Sequence, residues 1–184
     1  ELREAQHLAI SDPLTGLPNR RGIDSTLNRE ISRARRHKVP LCLSVLDLDH
    51  FKQINDSHGH VIGDMALIHV AHTLKGSLRD VDLLARFGGE EFMVIMPDTA
   101  LMGAEFGVNR LLQYLLARPL IVDQLEIPLC FSAGVAQWTF DESVLQLIAR
   151  TDKALYAAKA AGRSRVAVAP AGDEAVSVTQ QHKG

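Results

Sequence analysis

Cysteine is scarce: Cys42 and Cys130 are the only two in 184 residues, and no CxxC or Cys/His spacing accompanies them. That excludes a disulfide framework and a thiolate metal knot, and leaves two reduced thiols inside apolar runs of a cytosolic domain. Long apolar runs are missing too. No stretch approaches the ~18 residues of a membrane span, and no signal peptide opens the chain, so only anchoring through a longer protein stays open. Charge of one sign is also lacking: 20 basic against 22 acidic side chains leave −2. A strongly basic nucleic-acid binder and a disordered acidic chain are both excluded, and any anionic ligand must be held locally. The chain starts at Glu1 without methionine and is expected to be part of something longer.

What is present suits one domain, since 184 residues with 46% apolar side chains can bury a core without staples. Residues 1–11 place Leu2, Ala5 and Leu8 at helical spacing before Ser11-Asp12-Pro13, and read as the end of a helical, coiled-coil-type linker from an upstream domain. Asn19 can cap a helix with Ile23, Leu27, Ile31 and Ala34 on one face, and the basic run Arg33 to Lys38 at its end reads as a solvated face. "LCLSVLDLD" from Leu41 reads as a strand buried on both faces. A helix from about His60 to Leu78 is predicted with Met65, Ile68, Ala71 and Leu74 inward. His69 and His72 on it lack a third ligand at matching spacing and read as surface residues.

"LARFGGEEFMVIMPD" follows as a hairpin, with Gly88-Gly89 suited to the positive φ of a primed two-residue turn. A helix from Asp98 places Leu101, Ala104, Val108, Leu111 and Leu115 inward and ends at Pro119. "LEIPLCFSAGVAQ" is a strand pair or one interrupted strand. A capping box from Thr139 to Glu142 opens a helix with Val144, Leu145, Ile148, Thr151 and Leu155 inward, and "SRVAVAP" is the last strand. Residues 170–184 read as a disordered tail. The class is α/β or α+β: a mixed central sheet containing an antiparallel hairpin, surrounded by helices.

The hairpin glycines have a bland explanation, but Glu90 and Glu91 do not, because glutamate is a poor strand residue and costly to bury unpaired. Asp47 and Asp49 sit where a buried strand ends, the usual place for ligand sites in open sheets. If the two strands are neighbours, Asp47 and Glu90 converge as two hard oxygen ligands, which suits Mg²⁺ completing its shell from a nucleotide. Gly88 and Gly89 would let such a ligand approach the backbone. Lys52, Lys159 and Arg163 offer charge for a triphosphate, and the last two, four apart, would share one helix face. Asn55 and Asp64 could read a guanine edge. Spacing alone leaves surface readings open for the basic residues, and a local salt bridge for Arg79 and Asp82.

Four segments, "DPLTGLPNRR", "DLDHFKQINDSHGHVIGD", "ARFGGEEF" and "DKALYAAKAAGRS", together resemble the GGDEF family of diguanylate cyclases in its GGEEF form. They stand in the family order and place the domain at residues 12–169. The resemblance implies a fold related to the nucleotide cyclases, with Asp47, the Leu48 carbonyl and Glu90 as Mg²⁺ ligands, Mn²⁺ being an alternative ion. It places Glu91 at the reacting centre, Asn55 and Asp64 on guanine, and Lys52, Lys159, Arg163 and the backbone at His50 and Phe51 on phosphate. It further implies that two GTP condense into cyclic di-GMP with loss of two pyrophosphates in a homodimer arranged by an upstream sensory or regulatory domain. Arg79, Asp82 and Arg110 match an inhibitory site for the product. Ser164 stands where the family commonly has asparagine, and His50 where it often has an aromatic residue.

Three functions compete on these residues. The first is an active, product-inhibited cyclase. The second is a non-catalytic receptor for GTP or cyclic di-GMP, which would have no need to keep Asp47, Glu90 and Glu91. The third is a Mg²⁺ phosphohydrolase working as a monomer.

Overall fold

Asn19 sets the first helix boundary. Its side chain accepts the Gly22 N–H at 3.1 Å and caps α1 (Arg20–His37), whose Ile23, Leu27, Ile31 and Ala34 are buried as predicted. The computed structural model describes residues 10–171 and 177–178, so the linker predicted over residues 1–11 lies almost wholly outside the described residues.

β1 (Leu41–Leu48) is buried along its whole length. It is followed by α2 (Phe51–His58), a short helix absent from the sequence-based expectation, and by α3 (His60–Ser77). β2 (Leu83–Arg86) and β3 (Glu91–Pro97) form the predicted hairpin, and α4 (Leu101–Leu116) buries Ala104, Val108, Leu111 and Leu115. β4 (Leu120–Val122) and β5 (Leu125–Ile127) pair only with each other. β6 (Phe131–Gln137), α5 (Val144–Ala160) and β7 (Val166–Ala169) complete the predicted order. β8 (Ser177–Val178) pairs antiparallel with β7, so this dipeptide of the tail predicted to be disordered extends the sheet. It satisfies backbone groups on the outer edge of β7, which composition does not reveal.

The main sheet runs β2-β3-β1-β6-β7-β8, and only β6 with β7 is parallel. β1 therefore lies between two antiparallel neighbours. Its alternate residues serve two cores: Leu43 and Val45 meet α1 and α5, while Cys42, Leu46 and Leu48 meet α2, α3 and α4. Burial pushes the Cys42 thiol up to about 12 and the partly buried Cys130 thiol to about 11, so both are protonated free thiols at neutral pH. Among the described residues, no helix is long and apolar enough to cross a membrane.

α3 turns differently from its predicted phase, and α5 keeps its phase but exposes one residue expected inside. In α3, Ala71 and Leu74 are buried, but Met65 and Ile68 are exposed and Ala66, Leu67 and Val70 face inward instead. The helix is apolar nearly all round, so periodicity could not select the face. In α5, Leu145 is 78% exposed and Leu147 takes the inward place. Leu145 stands about 100° round the helix from the face of Val144, Ile148, Thr151 and Leu155, which does pack inward. The predicted cap also moves, since Ser143 and Gln146 form the capping box while Thr139 and Glu142 bond within the preceding turn.

Candidate active site at the end of β1

The hairpin loop differs from a two-residue primed turn. Phe87 and Gly88 both donate their N–H to the Glu91 carbonyl, at 2.8 and 3.2 Å, around a loop of Gly88, Gly89 and Glu90. Neither glycine has a positive φ. A Cβ on Gly88 would lie 2.5 Å from Glu91 Oε2, so a side chain there would make the glutamate tip shift from this position. Arg86 holds the loop by donating to the Gly89 carbonyl at 3.1 Å from Nε and 2.6 Å from Nη2.

Register then brings the acids together. Asp47 on β1 is directly opposite Glu91 on β3, and the Leu48 N–H donates to the Glu90 carbonyl at 3.2 Å. Burial and the nearby Asp47 charge push the Glu90 carboxyl above its ordinary range, opposed by Lys159. Burial, Asp47 and Asp152 do the same to Glu91, opposed by Lys159 and Arg20. Asp47 itself is 8% exposed, and Lys159 Nζ reaches its Oδ1 at 2.8 Å.

Crowded carboxylates matched by one lysine make a hard-oxygen donor set that lacks positive charge. Asp47, the Leu48 carbonyl and Glu90 share one corner and fit Mg²⁺ by their chemistry. Among the described residues, no three His, Cys, Asp or Glu side chains form a ready cage. Magnesium needs none, since it usually takes one or two carboxylates and fills its shell with water and phosphate.

The other predicted residues fall into three groups. Asn55 packs where a Cβ on Gly63 would sit 1.8 Å from its Oδ1, so α2 and α3 meet closely one residue before the exposed Asp64. His50 (φ 59) turns the chain into α2, whose first turn at Phe51 has no side-chain cap and offers N–H groups suited to an anion. Lys52 is not drawn to the acids; it pairs with Asp56 at 2.7 Å on the surface. Arg163 is not on the helix with Lys159. α5 ends at Ala160, and Arg163 takes a left-handed φ of 62, so the shared face predicted from the i,i+4 spacing does not form.

Arg79, Asp82 and Arg110 do come together, lining one cleft of about 200 Å³ with Thr99, Phe106 and Gly107. Arg79 Nε donates to Asp82 Oδ2 at 3.0 Å and its Nη2 to Thr99 Oγ1 at 2.7 Å, which presents the guanidinium edge in a fixed plane. His69 accepts no metal role: its Nε2 lies 2.8 Å from the Arg118 carbonyl. Sequence reasoning missed Arg20 and Asp152 near Glu91, and Arg86 behind the loop. Their charge offered a signal, but only the packing of α1 and α5 on the sheet and the hairpin pairing reveal which groups they face.

The family described as "Diguanylate cyclase, GGDEF domain" matches residues 9–165. The diguanylate cyclase DgcP of Pseudomonas aeruginosa is 42% identical over 91% of this chain and 25% of its own length. The response regulator PleD of Caulobacter vibrioides is 38% identical over 90% of this chain and 37% of its own. The chain thus spans well under half of these curated relatives. Among solved structures, the coiled coil and GGDEF domain of DgcB from Caulobacter crescentus, in complex with c-di-GMP, superposes with a TM-score of 0.86 at 33% identity, covering 91% of this chain and 90% of that one. Likeness of sequence and likeness of fold coincide over nearly all the described residues, and the chain belongs to the GGDEF family of diguanylate cyclase domains.

Proposed function

We propose that this domain condenses two GTP into cyclic di-GMP and two pyrophosphates, each copy of a homodimer holding one GTP. The observation that carries the reading is the convergence of Asp47, Glu90 and Glu91 on one corner, opposed by Lys159. Asp47, Glu90 and the Leu48 carbonyl would hold Mg²⁺, with Mn²⁺ as an alternative. Bound there, the ion would make the 3′-hydroxyl more acidic and offset charge on the phosphoryl oxygens.

Asn55 and Asp64 hold guanine between α2 and α3. The N–H groups at His50 and Phe51, with Lys52, Lys159 and Arg163, hold phosphate, Lys52 by exchanging Asp56 for the ligand. Gly88 and Gly89 keep the hairpin loop thin enough for the nucleotide to approach. In each half-reaction the 3′-oxygen bonds to the partner nucleotide's α-phosphorus, the bond to the β-phosphate oxygen breaks, and pyrophosphate leaves with the electron pair. The raised Glu91 carboxylate is suited to take the hydroxyl proton. Everything else is positioning, so the rate depends on how an upstream domain arranges the two copies.

Product inhibition acts through Arg79, Asp82 and Arg110, whose cleft is separate from the carboxylates. It requires that cyclic di-GMP bind an unproductive arrangement more tightly than the productive one. The reaction draws on GTP, which suits a cytoplasmic domain. The test is a chromatographic assay with GTP and Mg²⁺ over a range of protein concentrations. Cyclic di-GMP formed at a rate per molecule that rises with concentration supports the dimeric cyclase. No product at any concentration, even with a dimerising helix fused ahead of Glu1, overturns it in favour of a receptor.

A further inference from the structure

Asp49 takes no part in the chemistry above, yet it is a charged side chain only 6% exposed. Ser132 Oγ donates to its Oδ1 at 2.7 Å, the Ser164 N–H donates to its Oδ2 at 2.9 Å, and the Cys130 thiol lies 3.7 Å from the same oxygen. Its own N–H donates to the Cys130 carbonyl at 3.0 Å. Both carboxylate oxygens are therefore committed within the fold.

What it grips is strained. Gly162, Arg163 and Ser164 have φ values of 117, 62 and 48, three successive residues in the left-handed region, two of which carry a Cβ. Such a run persists only where its surroundings over-determine it. On one side the turn is tied to the end of α5, by the Arg163 N–H to the Ala158 carbonyl at 3.1 Å and the Gly162 N–H to the Lys159 carbonyl at 3.2 Å. On the other side Asp49, two residues beyond Asp47, holds the Ser164 N–H, and just past the turn the Arg165 carbonyl accepts the Ala133 N–H at 2.9 Å while Arg165 Nε donates to the Arg163 carbonyl at 2.9 Å.

We infer that Asp49 is a positioning residue for the triphosphate: it fastens the strained 162–164 turn to the end of β1 and so holds Arg163 where the phosphates bind. The inference rests on the proposed reading of Arg163 as a phosphate contact. Because the bond to Ser164 uses the backbone N–H, it does not depend on having asparagine at that position.

The experiment is a double-mutant cycle on the affinity for 3′-deoxy-GTP with Mg²⁺, a nucleotide without the attacking hydroxyl, measured by calorimetry on the parent, Asp49→Asn, Arg163→Ala and the double variant. Each single change is expected to weaken binding about tenfold, the scale of a hydrogen bond to a charged group. In the Asp49→Asn background, Arg163→Ala is expected to add less than about twofold, because the arginine has already lost its place. If Arg163→Ala costs its full factor in that background, or if Asp49→Asn binds like the parent, Asp49 does not act through Arg163 and the inference fails alone. If Arg163→Ala has no effect even in the parent, the phosphate reading fails and the inference with it. Should Asp49→Asn not fold, the same cycle with Ser132→Ala, which keeps the charge and removes one donor, decides instead: Ser132→Ala is expected to weaken binding about threefold and to cut the cost of Arg163→Ala from about tenfold to about threefold, and the full factor in that background overturns the inference.

Discussion

Lys159 Nζ on α5 lies 2.8 Å from Asp47 Oδ1 at the end of β1, so a single ion pair neutralises the acid that faces Glu91 across the sheet. The two side chains are 32% and 11% exposed, enough burial for the loss of either partner to be felt.

Lys159→Ala leaves Asp47 unmatched among other carboxylates, at a cost of about 1–3 kcal/mol. The melting temperature is expected to fall by about 3–8 °C, and cyclic di-GMP synthesis by at least ~100-fold. Adding Asp47→Asn should restore most of the lost stability and none of the activity. Melting curves and product assays on the four proteins check this, and an unchanged melting temperature in Lys159→Ala would contradict it.

Glu90→Ala and Glu91→Ala are each expected to abolish synthesis with the fold intact. Both carboxylates are raised by burial and by the Asp47 charge, so their ionised forms oppose folding at neutral pH. Glu90→Gln should therefore be inactive yet melt about 1–3 °C higher than the parent without metal, the size of a partly screened like-charge contact. Cyclic di-GMP production at the parent rate by both alanine variants would refute the site.

Arg79→Ala removes the plane that Asp82 and Thr99 hold in the cleft with Arg110. The cyclic di-GMP concentration that halves the rate is expected to rise at least ~10-fold, with the initial rate unchanged. Equal inhibition constants in variant and parent would count against this site.

Asp12 joins the first turn to the hairpin, since Arg86 Nη1 donates to both its oxygens at 3.2 Å while also serving the loop that carries Glu90. Burial pushes the Asp12 carboxyl up, but the Thr15 hydroxyl and N–H and the Arg86 charge outweigh it, leaving it below the usual 3.8. A lowered carboxylate contributes stability above its unfolded value and loses it as pH falls through the folded one. Asp12→Asn is thus expected to cost about 1 kcal/mol, or ~2–4 °C, at neutral pH. The gap should close as pH falls below 3.8, and a gap that stays constant with pH would rule the ion pair out as its source.

Much of this was legible in the chain because it is local. The α1 face, the buried β1, the hairpin and the inward side of α4 each follow from apolar spacing that admits one solution. The acids at Asp47, Glu90 and Glu91 stood out because carboxylates at strand ends demand a partner. The family's motifs added roles for residues whose spacing alone left them ambiguous.

The tertiary structure decided what spacing could not. Met65 and Ile68 lie outside because an all-round apolar α3 turns whichever face its neighbours can cover. Leu145 lies outside because it stands about 100° round α5 from the face that Ile148, Thr151 and Leu155 turn to the sheet. Gly88 leaves room for the Glu91 carboxylate and has no positive φ, and Arg163 leaves the helix for a turn that Asp49 grips. Helical period and turn propensity act over a few residues, whereas strand pairing chooses partners across the whole chain. The sequence alone determined which carboxylates stand at the strand ends, and the pairing of β1 with β3 and β6 determined which of them meet.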